Sequence, residues 1–323
     1  MSTRKPVLVV VLCLVLAGCT SPDLEASTEA VQQPDDGLVC NGLAILCDRS
    51  YDNVTFPETH NAFATHEDGI YYPASNHRTG LDAQWQAGIR AFMLDTHYAD
   101  SSNPNPDGVR FCHGSGGGTI SPCVYGSVGA VAWLTDLEQH MVNAPSDVVT
   151  LLIENYVQAD DLVHVLDEAG LMGNAYVHTL NEPWPTLREL VERNHRLVLF
   201  WEQASDTNHP YFHDFLTFGW TTDYAEESKE EMDCVPHRGD GIQPVYHMNN
   251  WLSGPLGLSS PNNADETNDP TFLVERATEC IEMHGKRPTF IAVDWWEDGD
   301  VVAAALAVNQ LELDASSPES PQN

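Results

Sequence analysis

Two histidines and three oxygen-bearing side chains each come after a short apolar run, and these residue types together could carry out phosphoryl transfer. They are His60 and Asn61 after "NVTF", Asp95 after "IRAFML", His113 after "GVRFC" and Glu154 after "VVTLLI". Two histidines can divide the base and acid roles of such a reaction. The oxygens of Asn61, Asp95 and Glu154 suit a hard cation, either Ca²⁺ or Mg²⁺.

Each of these residues also has an ordinary structural use. His60 could be a structural histidine, and Asp95 or Glu154 could form a salt bridge at a rim. Asp294 follows "TFIAV" and either orients a catalytic histidine or closes a structural hydrogen bond. Charged groups at the ends of apolar strands are costly unless they are paired or bound to a cation. The whole group, rather than any one member, therefore indicates a site.

Short apolar runs alternate with helical patterns along the chain, and this alternation predicts the fold. The strand candidates are "NVTF", "IRAFML", "GVRFC", "VVTLLI", "AYVH", "RLVLFW", "PVYHM" and "TFIAVDW". The helix candidates are "LDAQWQAG", "GAVAWLTDLEQHMVN", "DDLVHVLDEAG", "TLRELVERN", "PTFLVERATECIEMHG" and "GDVVAAALAVNQL". We therefore expect a single α/β domain, a parallel (β/α)8 barrel of the TIM type, in which the residues just past the strands form the site.

Both ends of the chain are predicted to lie outside this barrel. Residues 1–19 carry two basic residues, an apolar run and "LAGC", which is typical of a bacterial lipoprotein signal ending at Cys19. Lipid on Cys19 would anchor the protein to a membrane in the bacterial cell envelope, outside the cytoplasm; ordinary cleavage near this point is the alternative. Residues 20–37 and 314–323 are polar and predict a disordered tether and tail. The barrel should then span residues 38–313.

The cysteines and the charge narrow the setting further. Of eight cysteines, Cys13 and Cys19 belong to the signal, and the short spacings among the rest favour Cys40–Cys47 and Cys112–Cys123, leaving Cys234–Cys280. A zinc site is disfavoured because the chain has no C-x-x-C pair. The net charge of −34 argues against nucleic acid and against adsorption to an anionic bilayer. Nothing in the sequence indicates oligomerisation, so we expect a monomer.

The ordered motifs resemble one family over nearly the whole predicted barrel. "THNAFA", "GIRAFMLDTH", "FCHG", "VVTLLIENYV", "RLVLF" and "FIAVDWW" are similar to the phosphatidylinositol-specific phospholipase C X-domain family, in particular its secreted or membrane-anchored plant, fungal and bacterial branch. The resemblance implies a PLC-like phosphodiesterase barrel. It also implies cleavage of a phosphodiester in a phospholipid, with an inositol lipid favoured, by internal attack of a neighbouring hydroxyl.

The resemblance assigns roles to single residues. His60 matches the general base and His113 the general acid, and Asp294 is expected to orient His60. The trio Asn61, Asp95 and Glu154 matches three cation ligands of the calcium-dependent enzymes, so Ca²⁺ is expected, with Mg²⁺ as the alternative. The metal-independent branch has Asp and Arg at the positions of Asn61 and Asp95.

Two departures from the family pattern affect this expectation. Met93 stands where the calcium-dependent enzymes place a glutamate ligand, so the cation should bind more weakly. Glu202 or Gln203 lies near the position of a lysine that recognises phosphorylated headgroups, so polyphosphoinositides are not expected as substrates.

Other functions stay open at this stage. The same fold could act on a sphingolipid, a lysolipid or a glycosylated phosphoinositide, or the protein could be a non-catalytic surface lipoprotein that binds lipids or glycans. A glycerophosphodiester phosphodiesterase is disfavoured because Met93 and Asp95 replace that family's Glu-x-Asp. The aromatic residues expected on rim loops, where lipid or a sugar ring could bind, are Trp251, Trp295, Trp296, Tyr71 and Tyr72. Core packing is the alternative for Trp295.

Overall fold

A computed structural model describes residues 37–114, 122–202, 208–254 and 258–313. The predicted lipid anchor at Cys19, the signal segment, residues 20–36 of the tether, Gln203 and the tail at 314–323 lie outside the described residues. Within the described ranges, no helix has both the length and the apolar character needed to cross a bilayer.

A mostly parallel sheet forms the centre of the molecule. Its strands are β1 Phe56–Thr59, β2 Ala91–Tyr98, β3 Val109–Phe111, β4 Val128–Gly129, β5 Val149–Asn155, β6 Leu197–Trp201, β7 Phe212–Asp214, β8 Gly219–Thr221, β9 Val245–Asn250 and β10 Phe290–Val293. The parallel strands follow the order β7-β6-β5-β2-β1-β10-β9-β8. Strand β3 pairs antiparallel with the end of β2, and β4 pairs antiparallel with β3. This curled parallel sheet with its helices confirms the predicted TIM-type α/β fold.

Aromatic side chains fill one end of the barrel. The ring centroids of Phe200 on β6 and Phe290 on β10 lie 6.3 Å apart, although these strands are not neighbours in the sheet. Tyr51 packs against Phe56 at 5.3 Å, and both are fully buried. Because this N-terminal end is closed by apolar packing, a ligand is expected at the opposite end, where the strands finish.

The helices that cover the sheet match the sequence patterns well. They are α1 Leu81–Ala87, α2 Ala130–Asn143, α3 Ala159–Glu168, α4 Leu187–Glu192, α5 Phe215–Phe218, α6 Ala264–Thr267, α7 Pro270–His284 and α8 Val301–Gln310. All six predicted helices are present, and the α-helices of the described ranges that were not predicted are the single turns α5 and α6. Local signals set the ends: Asp269 caps α7 and Gly285 ends it with φ 66°.

Three strand predictions were wrong in detail. "NVTF" shares only Phe56 with β1, which runs on to Thr59. "AYVH" forms no strand, since Ala175 makes only one isolated bridge to Leu197. "GVRFC" contributes β3, which lies outside the parallel barrel. The short strands β7 and β8 take the two vacant places, and they were missed because they have three residues each and lack an apolar run.

A returning segment covers the edge of β8, where the path of hydrogen-bonded parallel strands ends. The Thr221 N–H donates to the Arg238 carbonyl at 2.8 Å, and the His237 N–H donates to the Thr221 carbonyl at 2.8 Å. Gly239 has φ 84°, and a Cβ added there would lie 2.7 Å from the Trp220 Cβ, so only glycine permits this approach. The segment thereby places Arg238 at the mouth of the barrel.

All three predicted disulfides are confirmed. Cys40–Cys47, Cys112–Cys123 and Cys234–Cys280 have Cα–Cα distances of 5.1, 4.9 and 5.2 Å. Such bridges persist in oxidising compartments and not in a reducing cytosol. The Cys112–Cys123 bridge also restrains the chain on both sides of the loop that begins at His113.

Candidate active site

The chain turns sharply at the end of β1, and this turn presents His60 and Asn61. The His60 N–H donates to the Val293 carbonyl at 3.0 Å, which continues the pairing of β1 with β10 for one residue. The His60 carbonyl accepts a hydrogen bond of 2.7 Å from Nε2 of the buried His77. Asn61 then adopts a left-handed conformation with φ 51°, which asparagine tolerates better than most residues.

His60 forms a carboxylate–imidazole pair with Asp294, which follows β10. The Nδ1 atom of His60 lies 2.9 Å from Oδ1 of Asp294. The same oxygen accepts a hydrogen bond of 2.7 Å from Nδ2 of Asn76. Burial disfavours the charged imidazole, but the Asp294 carboxylate outweighs it and raises the pKa of His60. Burial likewise acts against ionised Asp294, yet His60 lowers its pKa. The pair therefore stabilises the protonated form of His60.

His113 faces His60 from a different part of the fold. It follows β3, and its ring centroid lies 6.4 Å from that of His60 at an interplanar angle of 75°. Its Nδ1 lies 3.0 Å from the Ala74 carbonyl, which can only accept, so Nδ1 carries a proton and Nε2 is the atom that exchanges one. Burial, followed by the nearby His60, lowers the pKa of His113. Such a group readily gives up its proton when charged.

The oxygen-bearing residues gather beside this histidine pair. Asp95 on β2 and Glu154 on β5 are register partners, so their side chains leave the sheet at the same level. Burial, followed by the Glu154 carboxylate, raises the pKa of Asp95 well above its ordinary value. Burial, and then the Glu202 carboxylate, raises the pKa of Glu154, although a hydrogen bond from Tyr156 acts the other way.

These residues fit a hard cation. The Oδ1 atom of Asn61 is buried and has no hydrogen-bond partner among the described residues. In the same ranges neither Asp95 nor Glu154 is paired with a lysine or arginine. A divalent cation would satisfy the amide oxygen and offset the repulsion between the two carboxylates. The donor set is made of oxygens, as Ca²⁺ and Mg²⁺ prefer.

A cavity of about 660 Å³ opens beside His60. Its lining includes His60, Met93, Glu154, Glu202, Arg238 and Trp251. Met93, two residues before Asp95 on β2, lines the cavity with an uncharged side chain. Nη1 of Arg238 contacts Oε1 of Glu202 at 2.9 Å, which neutralises the one guanidinium among the described residues of the lining. The volume lies in the range of sites for small organic ligands.

Several residues of the site were missed at the sequence level. Asn76 and His77 lie in a loop without periodicity, and no pattern ties them to a catalytic pair. Trp251 was expected on a rim loop, but its ring stacks on His60 at 4.1 Å. A second histidine–carboxylate pair, between strands β1 and β9, was also missed. Nε2 of His247 lies 2.6 Å from Oε2 of Glu58, and both side chains are buried. The sequence feature that could have indicated this pair is the glutamate two residues before His60.

The remaining aromatic predictions divide in two. Tyr71 and Tyr72 are 63% and 65% exposed. Trp295 is buried, and its Nε1 donates to Ser259 at 2.8 Å, which is the core-packing alternative. Trp296 is half-buried against the core.

Comparison with known proteins identifies the family. The family model described as "PI-PLC X 1" matches residues 46–309. The chain belongs to the PI-PLC X domain family. A relative from the fungus Arthroderma benhamiae, "PI-PLC X domain-containing protein 1", is 27% identical over 296 residues, which cover 85% of this chain and 90% of the relative. A second A. benhamiae relative, an "Uncharacterized secreted protein", is 26% identical over 305 residues, covering 87% of this chain and 65% of the relative.

Solved structures with the PI-PLC barrel are similar in fold. The F249X mutant of the phosphatidylinositol-specific phospholipase C from Staphylococcus aureus has a TM-score of 0.55 and 13% identity, covering 82% of this chain and 95% of the other. At this identity the likeness concerns the fold alone.

Proposed function

We propose that this PI-PLC X protein is a phosphoric diester hydrolase of the phospholipase C type, acting on a phosphatidylinositol-like lipid. The observation that carries the proposal is the His60–Asp294 pair, which faces His113 across 6.4 Å between ring centroids. One imidazole is held by a carboxylate in the manner of a base, and the other is poised to give up a proton. Membership of the PI-PLC X family supports the same reaction class.

The proposed reaction begins with a substrate hydroxyl next to the phosphodiester. Nε2 of His60 takes the hydroxyl proton while Asp294 holds Nδ1–H and stabilises the imidazolium. The freed oxygen attacks phosphorus, and the bond from phosphorus to the diacylglycerol oxygen breaks. Nε2 of His113 gives its proton to that leaving oxygen, so the products are a cyclic phosphate and diacylglycerol. A Ca²⁺ or Mg²⁺ held by Asn61, Asp95 and Glu154 would lower the pKa of the attacking hydroxyl and offset the phosphate charge.

The cavity supports an unphosphorylated headgroup. Glu202 and Glu154 line it, and the guanidinium of Arg238 is already engaged by Glu202. A phosphate monoester on the headgroup would meet carboxylates and no free cationic side chain of the described lining. Polyphosphoinositides are therefore expected to be poor substrates compared with phosphatidylinositol.

The setting is part of the proposal. The three disulfides and the secreted A. benhamiae relative support a location outside the cytoplasm. Lipidation of Cys19 in a bacterial envelope would hold the site close to a membrane that contains its substrate. Mass spectrometry of the mature N-terminus would detect the lipid, and an unmodified Cys19 would rule out this anchor.

The test is hydrolysis of detergent-dispersed phosphatidylinositol with added Ca²⁺ and with EDTA. We expect turnover in Ca²⁺, its loss in EDTA, and a fall of about 10²-fold or more in His60→Ala and His113→Ala. His164→Ala is the matched control, since its side chain is 57% exposed on α3 and should leave the rate unchanged. Unchanged turnover in both site variants would refute the assignment.

A headgroup panel separates the alternatives. Turnover of a sphingolipid or lysolipid without turnover of phosphatidylinositol would keep the reaction and change the substrate. If calorimetry shows binding of intact lipid and no phosphodiester is cleaved, the protein is better described as a non-catalytic lipoprotein. The absence of a carboxylate at Met93 also favours this alternative.

A further inference from the structure

We propose that Trp251 is a positioning residue for His60, holding the plane of its imidazole with the face of the indole. The proposal rests on the function assigned to His60 above. Trp251 is the first residue after β9, and its ring lies parallel to that of His60, with centroids 4.1 Å apart and an interplanar angle of 8°. None of the sequence motifs connects the two residues.

Trp251 is held in place independently of His60. The side chain of Asn250 donates to the Thr267 carbonyl at 2.9 Å and accepts from the buried Arg276 at 2.9 Å. On the other side, the Ser253 N–H donates to the Glu226 carbonyl at 2.7 Å. The indole itself is only 8% exposed. A rigid surface is therefore present for the imidazole to lie on.

The hydrogen bonds of His60 alone do not fix its ring. Nδ1 is held by Asp294 at 2.9 Å, and Nε2 lies 3.2 Å from the amide nitrogen of Asn61. Hydrogen bonds tolerate bending, so the ring can still tilt by rotation about its Cβ–Cγ bond, a torsion with a broad minimum. A flat neighbour on one face removes this tilt, and reacting groups lose much of their rate when they are misplaced by about 1 Å.

The indole also suits the charge that develops on His60. Once the imidazole has taken the substrate proton it is a cation, and the face of an indole attracts cations. Asp294, in contact with Nδ1 of the same ring at 2.9 Å, also favours this positive charge. Because the attraction is stronger after proton transfer than before, it should act on kcat and not on KM.

Trp251 also lines the cavity, so a role in headgroup binding is the main competitor. Loss of a headgroup contact would raise KM, whereas loss of positioning lowers kcat. A purely structural role would lower stability alone. Measuring kcat, KM and the unfolding temperature together separates these three outcomes.

The experiment compares Trp251→Leu, Trp251→Phe and the wild type on phosphatidylinositol. We expect Trp251→Leu to lower kcat by about 10- to 100-fold with KM changed by less than about threefold, and Trp251→Phe to recover most of the rate because it restores an aromatic face. Trp184→Leu is the matched control, because Trp184 is equally buried and stacks on His178 at 3.9 Å away from the site. It should lose stability and keep kcat.

Unchanged kcat in Trp251→Leu, or a raised KM at constant kcat, would overturn the proposal. So would equal rates for the leucine and phenylalanine variants. If the wild type cleaves no phosphodiester, the proposed function fails, and the stack is tested by nuclear magnetic resonance instead. The ring protons of His60 should then shift downfield in Trp251→Leu as the indole ring current is lost, and an unchanged shift would refute the contact.

Discussion

His213 on β7 is a buried histidine that the fold holds in its neutral form. Its Nδ1–H donates to the Leu199 carbonyl at 2.9 Å, and its Nε2 accepts from the His178 N–H at 2.9 Å. Both ring nitrogens are thus used, and a second proton on Nε2 would break the bond from His178. Burial, with the nearby His178 acting in the same direction, lowers the pKa of His213 to about 4.

This depressed pKa links stability to pH with a definite sign. The unfolded chain takes up a proton on His213 near its ordinary pKa of 6.5, whereas the folded chain does so only near about 4. As the pH falls below 6.5, His213 becomes protonated in the unfolded state but stays neutral in the folded state. The free energy of unfolding therefore decreases until the pH reaches about 4. The linkage relation gives a loss of about 2 kcal/mol in the free energy of unfolding between about pH 7 and about pH 5.

Urea unfolding of the wild type and of His213→Asn at these two pH values measures the effect. The asparagine amide replaces the donor to Leu199 and does not titrate, so the variant should lose about 2 kcal/mol less than the wild type over the same interval. His195→Gln, a substitution of an exposed histidine, should behave as the wild type. If His213→Asn shows the same pH dependence as the wild type, the neutral buried histidine is not the cause.

Two further predictions concern the site. Asn76→Ala removes the amide that donates to Asp294 at 2.7 Å. Since hydrogen bonds to charged groups contribute about 1.5–3 kcal/mol, we expect kcat on phosphatidylinositol to fall by about tenfold. An unchanged kcat would show that Asp294 does not depend on this hydrogen bond. Met93→Glu adds a carboxylate to the cavity wall. Calorimetry should then show the Ca²⁺ dissociation constant falling by about tenfold or more. The neutral variant Met93→Gln should leave this constant unchanged. Equal Ca²⁺ affinity in the two Met93 variants would count against a cation site here.

Much of the fold follows from local pattern. Strands such as Val149–Asn155 and Leu197–Trp201 are nearly continuous apolar runs, as expected of parallel strands buried on both faces. The helices were predicted because periodicity and capping residues mark them. Strands β7 and β8 were not predicted, because a three-residue strand is defined by its pairing in the sheet and not by an apolar run.

The site was predictable to the extent that it follows strands. His60, Asn61 and Asp294 follow strands and Glu154 is next to last in β5, where the barrel rule directs attention. Asp95 instead lies inside β2, which continues to Tyr98. Asn76 and Trp251 touch the same groups but come from loops, and only the tertiary fold brings them there. Arg238 reaches the cavity through a segment that runs back along β8, for which the sequence holds no short-range signal.

The proposed base and the proposed acid lie on different parts of the fold, because His113 follows β3 in the antiparallel ribbon of β3 and β4. The base, its carboxylate and the oxygen cluster belong to parallel strands of the barrel wall, whereas the acid follows β3, an appended strand tethered by Cys112–Cys123. In the proposed reaction, attack on phosphorus therefore depends on the barrel wall, whereas protonation of the leaving alcohol depends on the ribbon formed by β3 and β4. A substitution within the ribbon should therefore affect protonation of the leaving alcohol more than activation of the attacking hydroxyl.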